Sequence, residues 1–272
     1  MSYQVTTAQA TSQLLLDAYA PSLCQPVDEA PLRLSVAAGS APALNQTVDG
    51  WQFTHTEGET TFPQDAYHLL GAMLRTHYLI RGLYSTHAAC VDGHLLVGHS
   101  GAGKTSTLVE MLNAGAQQIV ATNKTLLAVT ADGLTACGGT STITLEAADL
   151  HTPQLQGAEH YGNRVAFALP AGARATAPQA VRAVWFIRLT DAPVTVQPLS
   201  PLSSAHRLYP FVMDRVNADV LLAGGAHLYH TDDTAAAARL ATLLPQALRH
   251  VPAYIISGTR QAVAAHIRSI TP

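Results

Sequence analysis

Between residues 30 and 60 apolar and polar positions alternate in two short runs, PLRLSVAAG and WQFTHT, broken by Pro, Gly and Asp; this pattern predicts β-strands. The period changes over residues 64–84, QDAYHLLGAMLRTHYLIRGLY, where apolar residues recur every three or four positions and predict a helix starting near Pro63 and Gln64. Strand patterns then return. HAACV and HLLVG flank Asp92-Gly93, the dipeptide that favours a two-residue hairpin, so the strand running into Gly98 should be antiparallel to its predecessor. TLLAVT and LTACGG around Asp132-Gly133 predict a second hairpin, and AVRAVWFIRLT, VTVQPLS and AYIISG read as further strands. SSAHRLYPFVMDRVNADVLL predicts a helix bent or started near Pro210. TAAAARLATLLPQALRH predicts another, capped from Thr231, Asp232 or Asp233 and kinked or broken at Pro245, and TRQAVAAHIRSI a terminal one. The Ala- and Pro-rich stretch 170–180 is a loop. These elements imply an α/β protein with a mixed, largely antiparallel sheet flanked by C-terminal helices. Residues 1–60 form a small β-rich lead-in and 61–272 a larger domain.

With 48% hydrophobic residues among 272, the chain has ample material for a buried core. No uncharged apolar run reaches the roughly 18 residues a membrane helix needs, and MSYQVTTAQATSQLLLDAYA lacks a basic start and apolar segment, so the expected location is the cytoplasm, without a membrane partner. A net charge of −3 and the lack of a basic cluster argue against a nucleic-acid partner. Cys24, Cys90 and Cys137 are far apart and show no C-x-x-C spacing, which favours buried free thiols over a disulfide framework or zinc site. The histidines show no metal-ligand spacing either. Of 15 basic side chains only two are lysines, Lys104 and Lys124. A lysine kept in an arginine-rich chain points to positions that need a compact ammonium on a flexible stem.

Lys104 stands in such a position. Gly98-x-x-x-x-Gly103-Lys104-Thr105 matches the phosphate-loop pattern at every defined position, with HLLVG as the strand before it and TSTLVEML as the helix after it. Backbone N–H groups and the helix N-terminus of such a loop cradle phosphates. The residues expected to hold a nucleoside triphosphate are therefore Gly98, Ser100, Gly101, Ala102, Gly103, Lys104, Thr105 and Ser106, with Lys104 bridging the β- and γ-phosphates and Thr105 ligating Mg²⁺.

Over HAACVDGHLLVGHSGAGKTSTLVEMLNAGAQQIV the chain resembles the HPr kinase-like group of the phosphoenolpyruvate-carboxykinase fold. The resemblance covers about residues 85–120 and is faint elsewhere; CGGTSTITLEAADL is only loosely like the group's later glycine-containing segment. It implies that His87 corresponds to the histidine heading the hairpin, and that the activity is phosphorylation of a hydroxyl. Members often assemble, which makes a homo-oligomer an expectation too. One departure is sharp: the group's strand after the helix ends in two aspartates, the first accepting the hydroxyl proton, whereas this chain has Thr122-Asn123-Lys124. A neutral pair takes no proton near neutral pH. Asn123 retains an oxygen donor for Mg²⁺, and Lys124 would add charge beside the transferring phosphoryl group. That set suits an acceptor already ionised, such as a carboxylate. Otherwise a base must come from elsewhere, with His87 ahead of Asp92, Glu146 and Asp149 because imidazole titrates near neutrality.

Three functions follow as expectations. One is an ATP- and Mg²⁺-dependent kinase, with His87, Lys104 and Lys124 as its catalytic side chains and Thr105 and Asn123 as metal ligands, acting on a hydroxyl or carboxylate of a peptide, protein or small metabolite. The second is a non-catalytic nucleotide-binding scaffold that has lost its aspartates. The third is a regulatory ATPase.

Overall fold

The computed structural model describes residues 3–6, 32–41, 43–47, 50–56, 75, 78–79, 81–146, 159–161, 164–170, 172–213, 219–221, 227–230 and 234–270. The chain divides into two compact units, Met1–Arg81 with Arg215–Thr234, and Gly82–Asp214 with Ala235–Pro272. These limits differ from the 1–60 and 61–272 division expected from the sequence, because a later segment returns to the first unit.

In the first unit, β1 (Tyr3–Thr6), β2 (Leu32–Gly39), β3 (Ala43–Thr47) and β4 (Gly50–Thr56) form a sheet in the order β1-β2-β4-β3. The alternating runs are β2 and β4, which pair in parallel, and Phe53 of β4 is fully buried. The returning segment adds an antiparallel pair, β17 (Asp219–Leu221) and β18 (His227–His230), and β18 lies against β3. Of the helix expected over 64–84, Arg75, Tyr78 and Leu79 are helical and most of the rest lies outside the described residues. Its last residues are not helical. Arg81-Gly82 is a turn, Gly82 adopts a left-handed φ of 73°, and Leu83–Thr86 is a strand.

The second unit is built on a six-stranded mixed sheet in the order β16-β19-β15-β7-β6-β8. Its strands are β6 (Ala88–Val91), β7 (His94–Val97), β8 (Ile119–Ala121), β15 (Ala183–Leu189), β16 (Thr195–Leu199) and β19 (Ala253–Gly258). β7 runs parallel to β15 and antiparallel to β6, as the hairpin pattern requires. Asp92 (φ 49°) and Gly93 (φ 78°) make the two left-handed residues of that turn, so Asp-Gly is there for backbone reasons. The Asp92 carboxylate also accepts the N–H of Gln118 at 3.0 Å.

Beside it lie β5 (Leu83–Thr86), β9 (Thr125–Thr130), β10 (Gly133–Gly139) and β14 (Gln179–Ala180) in the order β14-β10-β9-β5, and a three-stranded sheet of β11 (Thr142–Glu146), β13 (Arg164–Ala168) and β12 (Glu159–Tyr161). The second expected hairpin is β9-β10, but Gly133 already pairs with Thr130 and the two loop residues are Ala131 and Asp132.

Besides the helical residues at 75, 78 and 79, four helices are delimited among the described residues. α1 (Lys104–Asn113) and α4 (Arg260–Ser269) pack against each other, joined by a 3.2 Å ion pair from Arg260 to Glu110. Their apolar faces, including Leu108, Met111, Val263 and Ile267, meet Leu96, Trp185 and Ile256 of the large sheet and Ile143, Val165 and Phe167 of the three-stranded one in a single core. α2 (Pro201–Val212) starts at Pro201, not near Pro210: Ser200 caps it by accepting the Ser203 N–H at 3.2 Å, and proline at the first helical position loses no intrahelical bond. Pro210 falls inside its last turn. α3 (Thr234–Ala247) runs through Pro245 and ends two residues later; its expected caps, 231–233, lie outside the described residues. Cys90 is a fully buried free thiol whose pKa burial pushes up to about 12, Cys137 is a half-buried free thiol, and Cys24 lies outside the described residues. Among the described residues no helix is long and apolar enough to cross a membrane.

Candidate functional site

The turn between β7 and α1 carries the glycine-rich motif, and its glycines have geometric reasons. Gly103 caps the helix with a left-handed φ of 98°, and a Cβ there would collide with the Leu189 side chain at the end of β15. At Gly98 a Cβ would come within 2.8 Å of the Ala102 Cβ and 3.2 Å of the Ile187 carbonyl. The loop is thus drawn tightly over the end of β15. No side chain caps α1, so its first-turn N–H groups are left pointing out of the helix end.

Lys104, only 6% exposed, folds back over this loop and donates from Nζ to Gly98 O at 2.6 Å and to His99 O at 3.1 Å. Burial pulls its pKa down from 10.5 to about 8. Between those two values the unfolded chain holds a proton that the native chain has released, so folding stability should rise with pH through that window. An anion held at the ammonium reverses the preference for the neutral form, and anion affinity should therefore weaken as pH climbs above about 8. Denaturant titrations and calorimetry with inorganic tripolyphosphate from pH 7 to 10 check both slopes.

A cavity of about 370 Å³ opens on this loop, lined by Ser100, Gly101, Gly103, Lys104, Thr105 and Ser106. Across it stand His87, Thr122, Asn123, Thr144 and Leu145. Three distant segments meet here: His87 between β5 and β6, the pair 122–123 after β8, and β11. The His87 backbone N–H donates to Phe211 O at 3.1 Å, which ties the histidine's position to the last turn of α2. Asn123 is exposed to the cavity. Thr144 and Leu145 fall within CGGTSTITLEAADL, the segment of only loose resemblance, and were not expected as site residues; the pairing of β11 brings them in.

Thr122 is held differently. Thr140 Oγ1 accepts the N–H groups of Asn123 and Lys124, each at 3.0 Å, leaving its own proton for Thr122 Oγ1 at 3.1 Å. Thr122 in turn donates to Thr142 O at 2.6 Å, with Thr140 O another 3.0 Å contact. The threonine that follows β8 is thereby a buried clamp with its hydroxyl fully engaged. Thr140→Val should cost about 2–3 kcal/mol, since it leaves two backbone donors and the Thr122 hydroxyl short of a partner; urea unfolding measures it.

The other expected residues are distributed as follows. Gly98 and Ala102 line a second, neighbouring cavity, together with His99. Lys124 is half-buried and is not among the residues lining the first cavity; its backbone carbonyl accepts the Thr140 N–H at 3.0 Å. Asp92 belongs to the hairpin turn and is not among those lining residues. Glu146 lies in β11 opposite Arg164, and Asp149 is outside the described residues. Thr105 and Asn123 therefore share a cavity as neutral oxygen donors, a set that fits a hard cation bound together with phosphate oxygens.

Fold and site define a mixed α/β protein with a glycine-rich strand–loop–helix junction around one cavity, whose lining gathers a lysine, five hydroxyl side chains, a carboxamide and an imidazole. No family model matches the chain, and no curated protein matches it.

Proposed function

We propose that this chain is an ATP- and Mg²⁺-dependent phosphotransferase of phosphoenolpyruvate-carboxykinase-like, HPr kinase-like fold, working in the cytoplasm. It transfers a phosphoryl group to a hydroxyl or carboxylate of a peptide, protein or small metabolite. The observation that carries this reading is the convergence of His87 and Asn123, from two other segments, on the cavity that Lys104, Thr105 and Ser106 line.

The loop amides and Lys104 hold the polyphosphate. Thr105 and Asn123 are the donors for Mg²⁺, which supplies charge neutralisation at the phosphates when bound. The acceptor oxygen bonds to the γ-phosphorus while the bond from that phosphorus to the β–γ bridging oxygen breaks, and ADP leaves. A hydroxyl acceptor gives its proton to the His87 imidazole; a carboxylate arrives without one and needs no base. Lys124 would then act from outside the cavity lining, through its field on the Asn123 turn.

The scaffold reading keeps one specific support. The aspartate position of the resemblance is occupied by Thr122, whose hydroxyl is fully committed to Thr140 and Thr142. One experiment separates the two readings: purified protein with Mg²⁺·ATP, alone and with candidate acceptors, followed for ADP and for phosphorylated product by mass spectrometry. A phosphorylated acceptor is the expected result. ATP binding without ADP or product in any mixture would leave the scaffold standing in its place.

A further inference from the structure

We propose that the second cavity is a nucleoside site, taking the base and ribose of the nucleotide whose phosphates lie in the first; this rests on the phosphate reading above. The cavity measures about 1120 Å³ and lies along the other flank of the same loop. Loop residues divide between the two: Ser100, Gly101 and Gly103–Ser106 line the first, and Gly98, His99 and Ala102 line the second. A molecule that reaches over the exposed tip at Ser100-Gly101 touches both.

The linings differ as the two ends of a nucleotide differ. The first is small and polar, with Leu145 as its one large apolar residue, and offers a base no flat apolar surface. The second is walled by Phe186 of β15 and Phe211 of α2, their ring centroids 6.5 Å apart, with the His99 ring 4.9 Å from Phe211. Flat rings of this kind stack on any base, because every base has a π-face. The charged groups lining the cavity are Arg188 and Arg207, both exposed and without an acidic residue beside them in the lining. A guanidinium stacks on the face of a base, so this wall complements an aromatic body. Phe211 also links the two sites: its side chain lines the nucleoside cavity while its carbonyl holds the His87 backbone.

The test compares Mg²⁺·ATP with Mg²⁺·tripolyphosphate by calorimetry in the wild-type chain, Phe211→Ala and Arg207→Ala, each variant checked by circular dichroism. Wild type should prefer ATP by at least ~10-fold, the gain expected of a stacked base. Phe211→Ala should bring ATP down to the affinity of tripolyphosphate, and the exposed Arg207→Ala should take away part of the same preference, with tripolyphosphate binding unaltered in both. Equal affinity for the two ligands in wild type would overturn the nucleoside site while leaving the phosphate site intact, as would variants that weaken both ligands alike. Binding of neither ligand would overturn the phosphate site and this one with it.

Discussion

Replacing Lys104 by alanine should weaken Mg²⁺·ATP binding by at least ~100-fold, read by calorimetry at pH 7, while the protein stays folded. The ammonium is the one positive charge in the cavity lining that sits on the loop itself, and its two hydrogen bonds to Gly98 O and His99 O hold it there. Each charge-assisted bond to a phosphate contributes about 1.5–3 kcal/mol, so loss of the group suffices for the predicted drop. Stability responds less. Alanine removes two loop bonds but also relieves the burial of a cation, whose cost is visible in the lowered pKa, and the two terms oppose each other. Lys104→Arg should fail nearly as badly, because a planar guanidinium does not fit a 6% exposed site shaped around a single nitrogen. Unchanged ATP affinity in Lys104→Ala would place the phosphates somewhere else.

The largest effect on stability is expected at Gly139, at the end of β10. A Cβ there would overlap the Lys124 carbonyl oxygen and the Ala121 Cβ. The first of these is backbone, so it cannot swing aside. Gly139→Ala should therefore cost about 3 kcal/mol or more, seen as a lower urea midpoint at unchanged slope. Its neighbour provides the control: a Cβ on Gly138 meets nothing within 4 Å, and Gly138→Ala should stay within about 0.5 kcal/mol of wild type. The close approach at Gly139 presses β10 onto the turn that carries Thr122 and Asn123, and Thr140 follows immediately to clamp that turn. Similar costs for the two alanines would show that this contact does not hold the site together.

Local signals in the sequence reached far where one residue type answers one backbone need. Asp92-Gly93 specifies a hairpin because both positions need left-handed φ, and the β6-β7 pairing follows in register. Where two elements adjoin, local signals failed. The helical period of 64–84 continued across Leu83 and Tyr84, yet those residues pair with Ala128 and Leu127 of β9, since a partner strand 43 to 45 residues later outweighs intrinsic propensity. Pro210 was expected to bend or start a helix; the start lies upstream, where Ser200-Pro201 supplies the cap, and Pro210 falls inside the last turn.

For the candidate site the same boundary holds. The phosphate-loop motif and its helix were legible, as was the absence of acidic residues at Thr122-Asn123, because contiguous residues carry both. The amino-acid sequence by itself determined the strand–loop–helix junction, the hairpin before it, the pairing of Lys104 with Thr105, and an apolar content sufficient for a core. Only the tertiary structure decided that Thr122 spends its hydroxyl on Thr140 and Thr142, that Lys124 stays off the cavity lining, and that Thr144, Leu145 and Phe211 join the site. These depend on contacts between segments 18 to more than 100 residues apart, whose register is set by packing over the whole sheet and leaves no trace in any short window.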